Sequence, residues 1–199
     1  MMRMIFRTGA IVAIGALLSA CGDAPQPVAS GSAVPAQSVG ATATGDLKYK
    51  APPGWVVEST TSSMRAAQYR LPRAEGDDED ASLVLYYFGP GQGGSVEANL
   101  DRWVGQMEQP DGRPSKDKAR SESATVNGLK VTSLDVTGTY TAEMSPGSGS
   151  RQNRPDYRLR AAVIETPKGP YFVKLVGPEK TVKRWETEFK AYIDSFEFK

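Results

Sequence analysis

The segment Ser82 to Phe88, SLVLYYF, is apolar on both faces: Leu83, Leu85 and Tyr87 alternate with Val84, Tyr86 and Phe88. A strand sends successive side chains to opposite faces, so a half-exposed strand alternates apolar and polar residues. This one needs cover on both sides, which predicts a central strand with a layer against each face of its sheet. Two amphipathic helices can supply those layers. In the stretch from Gly91 to Gly112, Val96, Leu100, Trp103, Val104 and Met107 fall on one face of a 3.6-residue helix. Ser95 is its N-cap, Glu97 suits the first-turn dipole, and Pro110 with Asp111-Gly112 stops it. The second helix opens at Gly177-Pro178, with Val182, Trp185, Phe189, Tyr192, Ile193 and Phe196 as its apolar face. Arg184–Glu188 and Glu186–Lys190 are i,i+4 pairs on its outer side.

Strand signals fill the rest. Leu47 to Lys50 is a short strand stopped by Pro52-Pro53-Gly54, Trp55 is a core anchor, and Ala66 to Leu71 is a strand ended by Pro72. Ala119 to Val126 pairs with Leu129 to Tyr140 across Asn127-Gly128, the strongest short-range hairpin signal. Thr141 to Arg154, rich in Gly, Ser and Pro, reads as a mobile loop, and Tyr157 to Glu165 and Tyr171 to Val176 form another hairpin. The order β-β-β-α-β-β-β-β-α, dominated by hairpins, predicts an α+β fold. Its sheet is largely antiparallel with helices on both faces, an α/β/α sandwich in which Trp103 and Trp185 lie on opposite sides.

Composition removes several chemistries. The 199 residues contain no histidine, hence no imidazole base or ligand, and a single cysteine, Cys21, so neither an intrachain disulfide nor a thiolate zinc site can form. Net charge is +1, or −1 once Arg3 and Arg7 are removed with the leader, which argues against nucleic-acid binding. No cofactor and no metal are expected.

Met1 to Ala20 has the layout of an export signal: a positive start at Arg3 and Arg7, then the apolar run Ile11 to Leu18. Leu18-Ser19-Ala20-Cys21 resembles the lipobox of bacterial lipoproteins, in which the cysteine is acylated and becomes the mature N-terminus. The resemblance implies lipidation of Cys21 and a membrane anchored through its acyl chains. Gly22 rather than Asp beside it implies an outer-membrane anchor facing the periplasm in a Gram-negative cell. Residues 21–45 form the lipidated cysteine and a flexible tether, nearly without charge, with a span of about 25–30 Å. Residues 46–199 form a single domain.

The runs APPGW (Ala51 to Trp55), MRAAQYRLP (Met64 to Pro72), GGSVEANLDRW (Gly93 to Trp103), VNGL (Val126 to Leu129) and GPYFVKLVGP (Gly169 to Pro178) carry a further likeness. In this order they resemble small bacterial lipoproteins with a Mog1/PsbP-like domain, over Asp46 to Lys199. That fold includes photosystem accessory subunits and a nuclear-transport GTPase-binding factor, whose partners do not transfer with it. The resemblance implies a non-catalytic binding or assembly module, here an envelope lipoprotein with a protein or glycan partner.

The candidate partner-binding residues are Gly93, Gly94, Asn99, Arg102 and Gln106. Asn99, Arg102 and Gln106 form a polar stripe beside the apolar face of the first helix, which either reads a ligand or ties down neighbouring loops. Gly91 to Gly94 matches no phosphate-binding motif and reads as a tight turn. Asp77 to Asp80 lacks calcium-loop spacing and reads as a solvated acidic turn. Arg151, Arg154, Arg158 and Arg160 read as a solvated loop and an exposed strand face. The alternative function is a carboxylate-based hydrolase of envelope polysaccharide, with Glu143 and Glu165 as the acids that would have to converge.

Cys21→Ser is expected to abolish incorporation of a palmitate analogue and to release the domain from membranes or leave the precursor uncleaved. Label persisting on the variant would remove the anchor from this reading.

Overall fold

The computed structural model describes residues 41–44, 46–60, 62–145 and 147–199, the first four by their backbone. The leader, Cys21 and most of the expected tether lie outside the described residues. In chain order the elements are β1 (Ala41–Thr44), β2 (Leu47–Lys50), β3 (Val56–Glu58), β4 (Arg65–Leu71), β5 (Ala81–Tyr87), α1 (Val96–Val104) and β6 (Met107–Glu108). There follow β7 (Arg120–Val126), β8 (Leu129–Tyr140), β9 (Arg154–Glu165), β10 (Tyr171–Pro178), α2 (Glu179–Arg184), α3 (Glu186–Asp194) and β11 (Glu197–Phe198).

The main sheet runs β3-β4-β5-β10-β9-β8-β6, with β7 beside β6 on the outer edge of β8, and its pairs are antiparallel. A small sheet, β1-β2-β11, joins the two ends of the described chain. Thus α+β with a large antiparallel sheet is the observed class. The β7–β8 hairpin turns on Asn127 and Gly128 at φ 48° and 83°, the left-handed pair that such a turn requires.

β10 sits in the middle, and its side chains alternate between two cores. Tyr171, Val173 and Leu175 enter one, with Trp55, Tyr69, Trp185, Phe189, Tyr192 and Phe196. Phe172 enters the other, with Trp103, Met107, Val136, Leu159 and Val163. Helices α2 and α3 with β2 cover the first face, and α1 covers part of the second, so Trp103 and Trp185 lie on opposite sides as expected.

Several expectations are corrected. The tether was expected to reach Gly45, yet Ala41–Thr44 pairs with β2. β5 is interior but stands one place from the middle, which belongs to β10. Helix α1 ends at Val104, because Met107 and Glu108 pair with Tyr140 and Thr139 and pull the chain into the sheet. Its burial is rotated as well: Asn99 and Trp103 are buried, whereas Val96, Leu100 and Val104 are half-buried. The last helix breaks at Trp185, whose indole N–H donates to the Pro72 carbonyl at 2.8 Å. The expected loop after Tyr140 begins as a hydrogen-bonded extension of the hairpin, with Met144 N to Ser150 O at 2.8 Å and Gln152 N to Ala142 O at 2.9 Å.

The charged runs are also bound rather than solvated. Asp77 accepts from the Thr181 N–H and hydroxyl at 2.9 and 2.6 Å, so a remote carboxylate satisfies the first turn of α2. Asp80 bonds Arg70 at 2.6 Å and the Arg73 N–H at 2.8 Å, and the Arg70 guanidinium holds its carboxyl below the usual range. Glu79 pairs with Arg154 at 3.2 Å. Arg158 forks onto Asp135 and reaches Glu186 at 2.9 Å, while Arg160 reaches Glu186 at 3.4 Å and lies 4.8 Å from the Phe189 ring centre. Glu186 is therefore turned toward the sheet and away from the expected Lys190, which pairs with Asp194.

Trp103→Ala and Trp185→Ala are each expected to cost about 3–5 kcal/mol, since each removes a large buried side chain and leaves a cavity. Denaturant midpoints measure this. A cost below about 1 kcal/mol at either site would mean that its layer is not packed.

Candidate functional site

Helix α1 has nine residues, about 14 Å of length, and cannot cover its face of the sheet. Beyond its C-terminal end lies a cavity of about 920 Å³. Its floor is formed on that face by Tyr86 of β5, Phe88 just beyond that strand, Phe172 and Lys174 of β10, and Tyr140 of β8. Arg102 and Gln106 stand at the helix side, Arg65 at the start of β4, and Glu143, Met144 and Arg151 on the extended hairpin opposite. The size is that of a small-molecule site.

Lys174 is the chemical centre of this floor. It follows Phe172 by two residues, so strand geometry aims it to the same face, in a strand otherwise apolar on both sides. Its stem is packed, and the ammonium donates to Gln106 Oε1 at 2.6 Å and Tyr140 Oη at 2.9 Å. Burial, aided by the nearby Arg102 charge, pushes its pKa down to about 8. Burial pushes the Tyr140 phenol up to about 12, so it remains neutral beside the ammonium.

The surrounding cations are placed by neutral groups. Arg102 donates to Asn99 Oδ1 at 2.6 Å and lies 5.8 Å from the Trp103 ring centre. Arg65 donates to Gln68 Oε1 at 2.6 Å and lies 6.0 Å from the Tyr86 ring centre. Arg151 is different: it holds the Thr141 carbonyl at 2.7 Å and pairs with Glu108 at 3.4 Å. Among the described residues, Arg65, Arg102 and Lys174 have no carboxylate within ion-pair distance. The one acid on the cavity wall, Glu143, accepts the Gly147 N–H at 2.9 Å. Tyr86 and Phe88 add a platform, with ring planes within 3° of parallel and centres 6.0 Å apart.

The residues singled out in the sequence separate here. Arg102 and Gln106 line the cavity. Asn99 is 3 % exposed, and its amide donates to the Gly93 and Ser95 carbonyls at 2.8 Å each, so it ties the turn to the helix. Gly93 has φ +94°, and a Cβ there would stand 2.5 Å from the Phe172 ring, so the turn lies directly on the core. Gly94 lines a separate depression of about 320 Å³ together with Glu165, which pairs with Lys130 at 3.0 Å. Glu143 and Glu165 therefore sit in different cavities, and the convergence that a two-carboxylate hydrolase requires is absent between them. Lys174 was missed by the motif reading. Its signal was present, as one lysine inside the apolar strand YFVKLV. No group of three or more acidic or thiol side chains suited to a metal ion occurs among the described residues.

No protein-family model matches this chain, and no curated protein is similar to it in sequence. In structure it is similar to the cyanobacterial PsbP protein (CyanoP) of Synechocystis sp. PCC 6803, at 11% identity and TM-score 0.49, over 87% of this chain and 98% of that one. It is also similar to PA94 of Pseudomonas aeruginosa, described as a protein of unknown function and putative regulator, at 12% identity and TM-score 0.45, over 80% of this chain and 96% of that one. Both TM-scores are below 0.5, and the fold class rests on the strand order itself.

Asn99→Ala is expected to cost about 1–3 kcal/mol, because it removes a buried amide whose bonds tie the Gly93 turn to the helix and leaves a gap in its place. Arg102→Ala, at an exposed position, is expected to cost less than about 1 kcal/mol. Thermal melts compare the two; equal losses would mean that Arg102 is part of the scaffold and not free to serve a ligand.

Proposed function

We propose that this chain is a membrane-anchored envelope lipoprotein acting as a non-catalytic binding module, with the cavity beside α1 as its binding site. The observation that carries the reading is the wall of that cavity: Arg65, Arg102 and Lys174 without carboxylate partners, set around half-buried aromatic rings. The two half-buried arginines among the described residues, Arg158 and Arg160, are paired with Asp135 and Glu186. Cations left unpaired beside one another raise each other's cost, which a bound partner with complementary charge offsets. The lipobox Leu18 to Cys21 and the nearly uncharged stretch after it support the anchoring. Acylation of Cys21 with more than one chain would hold the domain stably at a membrane, and an envelope protein or glycan would be the partner.

The test is capture by crosslinking and pull-down of the lipidated protein from its own envelope. Wild type is compared with Arg102→Ala, and with Lys130→Ala as a control at the separate depression. Capture lost in Arg102→Ala and retained in Lys130→Ala is the expected result. Equal capture by wild type and Arg102→Ala would remove the cavity as the site.

A further inference from the structure

We propose that the cavity beside α1 binds a small organic anion built on a flat ring, its acid group meeting Lys174 and Arg102 and its ring lying on Tyr86 and Phe88. This inference rests on the reading of that cavity as the binding site. An ammonium has three N–H donors. Lys174 spends two, on Gln106 and Tyr140, and both acceptors are neutral. The remaining donor has no partner among the described residues, and the charge meets the Tyr140 ring, 5.0 Å from its centre, but no carboxylate. Arg102 borders the same cavity without a carboxylate, its fork anchored at one end by Asn99. An acid group here would accept from both cations, a charge-assisted pairing stronger than the neutral ones it joins.

The ring half of the ligand follows from the platform. Tyr86 and Phe88 are half-buried and parallel within 3°, and they stand on one face of the sheet, two residues apart. Met64 and Met144, with 52% and 69% exposure, flank the same cavity, and unbranched thioethers adapt to an apolar edge. Four large hydrophobics are conspicuously exposed among the described residues, and two of them border this one cavity.

The site should respond to pH through Lys174. The charged and titratable groups around its cavity are Arg102 on α1, Tyr140 on β8, Tyr86 on β5, Arg65 on β4, and Glu143 and Arg151 on the extended hairpin. In the free site burial lowers the lysine pKa to about 8, and a bound anion raises it. Affinity is then constant at lower pH and falls as pH rises through about 8, by up to about tenfold per unit.

The experiment titrates the folded protein with naphthalene-2-carboxylate, and with 2-naphthylmethylamine and inorganic phosphate for comparison, read by calorimetry and by the fluorescence of the neighbouring Trp103. Expected are binding of the aromatic acid in preference to both comparison compounds, and a loss of tenfold or more in Arg102→Ala and in Lys174→Met. The decline in affinity between pH 7 and 9 should vanish in Lys174→Met. The melting temperature of Lys174→Met should stay at or above that of wild type, because an uncompensated buried charge is removed. Should that variant fail to fold, Arg102→Ala at its exposed position carries the test. Equal binding of the amine, equal binding of phosphate, or undiminished binding of the acid by Arg102→Ala overturns the proposal. Envelope capture that depends on Arg102 without any binding of the aromatic acid overturns this inference alone. Binding of the acid together with capture indifferent to Arg102 leaves it standing and removes the envelope partner.

Discussion

Strand β10 serves two cores at once, and the domain depends on that double duty. Its backbone pairs with β5 from Tyr171 to Val176 and with β9 from Tyr171 to Pro178. Its polar groups are therefore spent inside the sheet, and only its side chains remain to organise the layers. Tyr171, Val173 and Leu175 gather the aromatic cluster beneath α2 and α3, while Phe172 holds Trp103 and the turn at Gly93. Lys174 is where the alternation breaks. A charged head cannot be sealed under an apolar layer without a partner, so the cover over that point stays open. The short α1 leaves that space uncovered, and the one lysine of the middle strand opens into it.

Much of this was legible because it is local. Asn127-Gly128 prescribes its own turn, and the alternation of the longer strands is visible within each segment. What was not legible depends on residues distant in the chain. β5 and β10 are both apolar on both faces, so nothing local decides which takes the middle. Asn99 reads as part of a stripe that either meets a ligand or ties down loops, and only its bonds to the Gly93 and Ser95 carbonyls decide for the second. Asp77 reads as part of a solvated run, yet its partner Thr181 lies 104 positions away. Strands of two to four residues, such as β6, β11 and β1, have too few positions to display a period.

The half-buried arginines on β9 and the cations of the cavity are held in different ways. Arg158 and Arg160 share Asp135 and Glu186 beneath α3, so their charges are neutralised within the protein. Arg65, Arg102 and Lys174 are held in place by amides and a phenol, which fix position without cancelling charge. In the cavity three such cations border one apolar space, Arg65, Arg102 and Lys174. A scan for catalytic signatures passes over that space, since no single residue type there is unusual by itself.

The pairing of β2 with the residues around β11 has a kinetic consequence. β11 pairs with β2, the Lys199 N–H donates to the Asp46 carbonyl at 3.0 Å, and Lys50 bonds Ser195 across 145 positions. β10, itself late in the chain, must arrive before β5 and β9 can be joined. Contacts of such long range close slowly, because the entropy of loop closure comes before any gain from packing. The core beneath α1 draws on no residue beyond Val176, whereas the core beneath α2 and α3 needs Phe196 and Phe198, so the second is the last to close. The order in which the parts become available thus lets one face of β10 be covered before the other.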